Sequence, residues 1–199
     1  MKKPSRSRND HTGAEGGRLR LRVIGGTHRS RLLQFVDAPG LRPTPDRVRE
    51  TLFNWLAPIV TGARCLDAFA GSGALGIEAL SRGAAHVDFV EANPAAAEAI
   101  AANLAALRCD NATLLRSDVT ARLHTTPTQR YDIVFCDPPF HTALLQQTLQ
   151  ALATQDWLSN TGRIYIEAAR EESVSLPQGW HWWRHQQAGN VQFGLLLRD

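Results

Sequence analysis

Two lysines and three cysteines in 199 residues are the scarcities that first constrain this sequence. Cys65, Cys109 and Cys136 are odd in number, far apart and without metal-ligand spacing. That argues against a disulfide framework and for buried thiols in a reducing compartment. No stretch approaches the roughly 18 consecutive apolar residues of a membrane span. The basic start Met1-Lys2-Lys3-Pro4-Ser5-Arg6 leads into no apolar segment of the kind a secretory signal carries. None of the seven histidines shows ligand spacing with an acid or a cysteine, so no metal is expected. A cytoplasmic, soluble domain is the expectation. The remaining composition, 43% hydrophobic and 21% charged, is that of a globular chain. A chain this long can bury roughly 70% of its extended surface without covalent staples.

Both lysines lie at positions 2 and 3, so nearly all positive charge is arginine, and it is unevenly placed. Residues 1–49 hold 12 basic against 4 acidic side chains; the other 150 hold 10 against 15. Arginine's planar fork matches phosphate oxygens in pairs and stacks on bases, which a lysine ammonium does not do. A basic arm on a mildly acidic body fits a polyanionic partner, nucleic acid before others, with a solubilising tail as the alternative.

Residues 1–17 lack apolar periodicity and are expected to be a disordered basic tail. Leu19, Leu21 and Val23 then alternate with Arg18, Arg20 and Arg22, the period-two pattern of a half-buried strand. Gly25-Gly26 is expected to turn the chain, and Arg31 to Phe35 to return as a second strand. Two strands alone are marginal, so the pair must lean on something. After a proline-punctuated loop, Thr44 is expected to cap a helix with Pro45 in its first position and Val48, Leu52, Trp55 and Leu56 on one face. From Cys65 the pattern changes to short apolar strands alternating with helices. Strands are expected at Cys65–Phe69, His86–Glu91, Ala112–Arg116, Tyr131–Cys136 and Arg163–Glu167, with helices at Ala74–Ser81, Pro94–Leu107 and Thr142–Thr154. Repeated βα units of this kind imply a doubly wound α/β fold around a parallel sheet. Two further strands, His181–His185 and Val191–Arg198, are expected to add an antiparallel pair at its edge. The organisation read from this is a tail (1–17), a hairpin-plus-helix extension (18–60) and a catalytic α/β domain (61–199).

Gly71-Ser72-Gly73-Ala74-Leu75-Gly76 follows a strand and opens a helix, and Glu91 ends the next strand. Both features fit a nucleoside-binding fingerprint, with the acid on the ribose. Asp67, inside Asp67-Ala68-Phe69-Ala70-Gly71, separates the candidates. A carboxylate there would repel the pyrophosphate of NAD, but it suits S-adenosylmethionine, which carries an ammonium, a sulfonium and no phosphate. Gly71, Ser72 and Gly73 would let that cofactor approach the backbone, with Ala68 and Ala92 beside Asp67 and Glu91. Asp118, followed by Val119 past the third strand, is expected to accept from the adenine amino group.

Asp137-Pro138-Pro139-Phe140 stands at the carboxyl end of the fourth strand, where open α/β sheets bind ligands. Consecutive prolines fix the backbone and donate no hydrogen bonds, leaving nearby carbonyls as acceptors. Methylation of an exocyclic base amine needs such an arrangement, because that nitrogen shares its lone pair with the ring. Asp137 and the Pro138 carbonyl would accept its two N–H bonds and draw it toward tetrahedral geometry, while Phe140 stacks on the base. Nothing in the tetrapeptide distinguishes guanine from adenine. His141 is the one histidine near this chemistry. Trp180, Trp182 and Trp183 are expected to be packing residues, the last two on opposite sheet faces.

These segments, together with Arg22-Val23-Ile24-Gly25-Gly26, Leu41-Arg42-Pro43-Thr44 and the run from Asp46 to Leu56, resemble the bacterial RsmD-type ribosomal RNA methyltransferases. The similarity spans the chain from Arg18 onward. It implies a Rossmann-like class I methyltransferase with S-adenosyl-L-methionine as donor and guanine N2 of 16S rRNA in the small ribosomal subunit as acceptor. It also gives Arg18, Arg20, Arg22, Arg29 and Arg31 a use as phosphate contacts, with Arg42 and Thr44 bordering the base or cofactor. The alternatives are an adenine-N6 methyltransferase, a non-catalytic RNA-binding assembly factor and an NAD-dependent oxidoreductase. A monomer is expected.

Overall fold

The computed structural model of the protein describes residues 18–36 and 44–199. The expected tail over 1–17 and the proline loop with Arg42 lie outside the described residues, as does the side chain of Arg18. An antiparallel ribbon, β1 (Arg18–Arg22) and β2 (Leu32–Val36), is followed by α1 (Asp46–Leu56). The chain then alternates through β3 (Arg64–Asp67), α2 (Ala74–Ser81), β4 (His86–Val90), α3 (Pro94–Leu107), β5 (Ala112–Leu115), α4 (Val119–Leu123), β6 (Tyr131–Cys136), α5 (Leu144–Thr154) and β7 (Leu158–Ala169). It closes with β8 (Trp180–Ala188) and β9 (Val191–Arg198).

The large sheet runs β5-β4-β3-β6-β7-β9-β8. Its first five strands are parallel, and β9 is antiparallel to both β7 and β8. Alternation along the strands fills both faces. Cys65, Val87, Ile133, Phe135 and Tyr165 pack toward α1, α2, α3 and the ribbon, while Leu66, Val90, Val134, Ile164 and Ile166 pack toward α4 and α5. Continuous apolar strands are what double-sided burial requires. Trp182 and Trp183 go to opposite faces as expected. Trp183 is held between the guanidinium groups of Arg163 and Arg184. Cys65 and Cys136 are buried thiols; Cys109, by contrast, is only half-buried and lies 3.6 Å from His28 Nε2. No helix among the described residues is long and apolar enough to cross a membrane.

The ribbon leans on α3. Leu19, Leu21, Leu33 and Phe35 face the shared core, and Asn103 exchanges two hydrogen bonds with Gln34, accepting from its N–H at 3.0 Å and donating to its carbonyl at 2.7 Å. Gly25-Gly26 does not form a tight hairpin turn: residues 23–31 make a longer connection that docks on α2. The reason is Glu78, a fully buried carboxylate that accepts from the Ile24 and Gly25 N–H groups at 2.8 Å each and from Arg82 Nε at 2.8 Å. Arg49, itself buried, adds its charge at 3.8 Å. Gly26 has φ +75°, and a Cβ there would lie 1.7 Å from the Ser81 carbonyl oxygen, so a side chain would break the joint.

Candidate methyl-transfer site

The chain enters the sheet at β3, builds outward through β4 and β5, then returns to place β6 on the other side of β3. That reversal is the topological switch point at which open α/β sheets bind ligands beyond the carboxyl ends of their strands. Asp67 ends β3, opposite Phe135, and Asp137 follows directly after β6. The sequence-predicted acids are thus brought to neighbouring strand ends.

Asp67 is 2% exposed, and its Oδ2 accepts from the Gly76 N–H at 2.9 Å. Burial, against that hydrogen bond and with the Glu91 charge adding to it, pushes its pKa up to about 7. Gly71 and Gly73 both have positive φ, +52° and +74°, which fixes the loop between β3 and α2. Gly76 must be glycine for space: a Cβ would lie 2.2 Å from the Phe89 ring and 3.0 Å from Asp67 Oδ2. Ala68 and Ser72 are buried beside the loop. Glu91 follows β4 and clamps the loop, its Oε2 accepting from Gly71 N–H at 2.7 Å and its Oε1 from Asn93 N–H at 2.6 Å. Each oxygen keeps a second lone pair for a ligand hydroxyl. Ala92 lies at the surface between Glu91 and Asn93.

Asp118 is exposed after β5 and is the N-cap of α4, a helix that periodicity does not reveal. Its Oδ1 accepts from the Thr120 and Ala121 N–H groups and from the Thr120 hydroxyl, and that hydroxyl chiefly lowers the carboxyl pKa. No hydrogen bond among the described residues uses the other oxygen. Val119 is buried in the first turn of the same helix.

Asp137 is half-buried, Pro138 buried, Pro139 exposed and Phe140 half-buried. The Pro139 carbonyl accepts from the Thr142 hydroxyl at 2.7 Å, whereas no hydrogen bond among the described residues uses the Pro138 carbonyl. His141 takes φ +60° and turns outward toward Glu171. Thr44 does not cap α1; Pro45 occupies the cap position with no side-chain bond, because the Thr44 hydroxyl is directed at Asp137 Oδ2, 3.3 Å away. Sequence reasoning missed Glu167, which is 4% exposed near the end of β7 and accepts from the Tyr165 hydroxyl at 2.9 Å. One extra acid in an otherwise apolar strand (Ile164-Tyr165-Ile166-Glu167) was the available signal. Burial, then the Glu167 and Asp67 charges, hold the Asp137 pKa well above the carboxylate range. Among the described residues no Arg or His pairs with Asp67, Asp137 or Glu167, and none of their clusters suits a metal ion.

The ribbon arginines lie apart from these carboxylates. Arg22, Arg29 and Arg31 are exposed and Arg20 is half-buried. Arg22 and Arg31 reach backbone carbonyls of Ser30 and Ala106 at 3.4 and 3.5 Å. His28, Arg31 and Arg108 line a cavity of about 330 Å³ at the end of α3.

Residues 21–196 match the family model described as Conserved hypothetical protein 95. The chain is 44% identical to Ribosomal RNA small subunit methyltransferase D of Escherichia coli, covering 100% of this chain and 96% of that protein. It is 39% identical to the protein of the same name from Haemophilus influenzae, over 88% and 92% of the two chains. Among solved structures it is similar to yhhF from Escherichia coli, with TM-score 0.81 and 44% identity over 90% of this chain and 98% of that one. With a family model spanning most of its length and relatives aligned almost end to end, this chain belongs to the Conserved hypothetical protein 95 family, the RsmD family that its N-terminal signature resembles.

Proposed function

We propose that the protein transfers a methyl group from S-adenosyl-L-methionine to the exocyclic N2 of a guanine in 16S rRNA of the small ribosomal subunit. The carrying observation is the pair of acids on adjacent strand ends: buried Asp67 beneath a positive-φ glycine loop, and Asp137 beside a Pro138 carbonyl without a partner among the described residues. The donor set fits the cofactor. A buried carboxylate without a cationic partner suits a cationic ligand, the loop at Gly71 and Gly73 admits close approach, and Glu91 retains acceptor capacity for ribose hydroxyls. Ala68, Ser72, Ala92 and Val119 would line it, with the second oxygen of Asp118 on the adenine. When bound, S-adenosylmethionine supplies an electrophilic methyl group on a sulfonium.

The chain's own residues then do four things. Asp137 and the Pro138 carbonyl accept the two amine N–H bonds, so the nitrogen lone pair is freed from the ring and aimed across the pocket. Phe140 stacks on the base, and Pro139 keeps the turn rigid. Asp137 takes the proton that the nitrogen sheds once the new C–N bond has formed. Alignment supplies most of the rate and hydrogen bonding to developing positive charge the rest. A paired base is out of reach, so the target must be unpaired or flipped. Arg18, Arg20, Arg22, Arg29, Arg31 and Arg42 would hold RNA phosphates, with Thr44 at the base. The relatives named small subunit methyltransferase D favour rRNA over DNA. The test is incubation with methyl-labelled donor and small subunits lacking the mark, followed by nucleoside analysis. Labelled N2-methylguanosine is expected; label in N6-methyladenosine, or none, would overturn the reading.

A further inference from the structure

Nothing in Asp137–Phe140 tells guanine from adenine, and Glu167 has no place in the mechanism above. The order of the strands shows what Glu167 lies beside. The acids assigned to the donor follow β3, β4 and β5 (Asp67, Glu91 and Asp118), and the amine is received at the end of β6. A base held there extends to the side away from the donor, over β7. The register pairs Cys136 with Ile166, so Asp137 and Glu167 come next, side by side on strands about 4.8 Å apart. Alternation puts both on the sheet face of Phe135 and Tyr165, the face covered by α1.

Glu167 is 4% exposed, and its Oε2 accepts from the Tyr165 hydroxyl at 2.9 Å. On its other flank β9 contributes Phe193, stacked on Trp55 with ring centroids 5.6 Å apart. The Thr44 hydroxyl makes its bond to Asp137 Oδ2. Among the described residues no hydrogen bond uses Glu167 Oε1, and this oxygen is not one of the sealed polar atoms left without a partner, so it meets open space. Guanine presents its N1–H and one N2–H as parallel neighbouring donors, whereas the amine of adenine is flanked by N1, an acceptor without a hydrogen. An unprotonated oxygen beside Asp137 receives the first and repels the second. Glu167 is pushed up less than Asp137, because the Tyr165 and Thr44 hydroxyls both favour its charged form. A cationic ligand at Asp67 favours the charged form of every acid around it. We propose that Glu167 is the specificity-determining residue of the site: its Oε1 accepts the N1–H of the target guanine while Asp137 accepts from the N2 amine, and the same oxygen turns adenine away. This rests on the methyl-transfer reading, which puts the amine at Asp137.

The test uses small subunits reconstituted with 16S rRNA that carries either guanine or 2-aminopurine at the position the protein methylates. 2-Aminopurine keeps the N2 amine but has no hydrogen on N1. Wild type should favour guanine in kcat/KM by at least about a hundredfold. In Glu167→Gln the amide oxygen can still accept from Tyr165, which turns the NH2 group toward the base. The guanine rate should then fall about a hundredfold and the preference shrink to within about threefold, with the donor Kd within about twofold of wild type. Glu167→Ala should erase the preference in the same way. A purely structural role would lower both substrates together and leave their ratio where it was, and that result would overturn the proposal. Wild type that methylates 2-aminopurine within about threefold of guanine would overturn it too, without recourse to any variant. Either result alongside N2-methylguanosine from wild type leaves the reading of function standing. Label found by wild type in N6-methyladenosine, or in nothing, would sink that reading and the role of Glu167 with it.

Discussion

Glu78 offers the sharpest test of how the arginine-bearing ribbon is held to the sheet. It is fully buried, with two main-chain N–H donors and Arg82 Nε at hydrogen-bond distance and Arg49 at 3.8 Å. Glu78→Ala would take the 2.8 Å partner from Arg82, leave the guanidinium of Arg49, 1% exposed, with Asp46 as its one remaining counter-charge, and orphan the Ile24 and Gly25 N–H groups. Removing one partner of a buried ion pair costs about 3–5 kcal/mol. Total stability for a domain is about 5–15 kcal/mol. At about 2–4 °C per kcal/mol for a chain of this size, Tm should fall by roughly 6–20 °C. Glu78→Gln keeps the shape and one acceptor but loses the charge, so about 1–3 kcal/mol is expected. Urea titration gives the stability difference, and RNA affinity should be measured on the Gln variant under conditions where it is fully folded. Weaker RNA binding at unchanged donor affinity is expected, since the ribbon loosens while the strand ends stay in place. A loss below about 1 kcal/mol for Glu78→Ala would refute the reasoning, because water or Asp46 would then be satisfying Arg49 alone.

Other predictions address the site. Asp137→Ala should reduce kcat by at least about a hundredfold while donor affinity, read by calorimetry, stays within a few-fold. Glu91→Ala should raise the donor Kd about tenfold or more, through the lost ribose acceptor and the loosened Gly71 loop. Asp67, with its pKa raised to about 7, adds stability to the ligand-free protein that is complete below the usual carboxylate range and is lost as pH rises from about 4 through about 7. Over the same window donor binding should tighten as the carboxylate ionises, and Asp67→Asn should flatten both profiles. Arg31→Ala combined with Arg108→Ala should weaken RNA binding and reduce the slope of log K against log salt by about 2 if each contacts one phosphate.

Much of this architecture could be read in advance where one periodicity dominated. The Ala-rich run from Pro94 to Leu107 and the apolar centre Ile133-Val134-Phe135 have one reading each, and α3 and β6 carry the expected bounds. Short or mixed segments hid the rest. Val119–Leu123 is too brief to show a helical face, so its capping Asp118 looked like a free ligand acid. Thr44 before Pro45 has the look of a cap, and only tertiary structure reveals that Asp137, 93 positions later, claims its hydroxyl. Glu78 and Arg49 resemble ordinary helix-surface charges, since sequence cannot show that each meets the other across two helices. Glu167 is the same problem within a strand: its burial beside the Tyr165 hydroxyl follows from the sheet register, which the sequence does not show.

The position of β9 between β7 and β8 bears on how the protein is made. While the chain emerges from the ribosome, the outer edge of β7, the strand carrying Glu167, has no neighbour until residues 191–198 have been synthesised. β8, though made earlier, has nothing in the sheet to pair with before then. That side of the sheet is therefore finished late, and a nascent chain halted before Val191 would present an open strand edge, a template for aggregation.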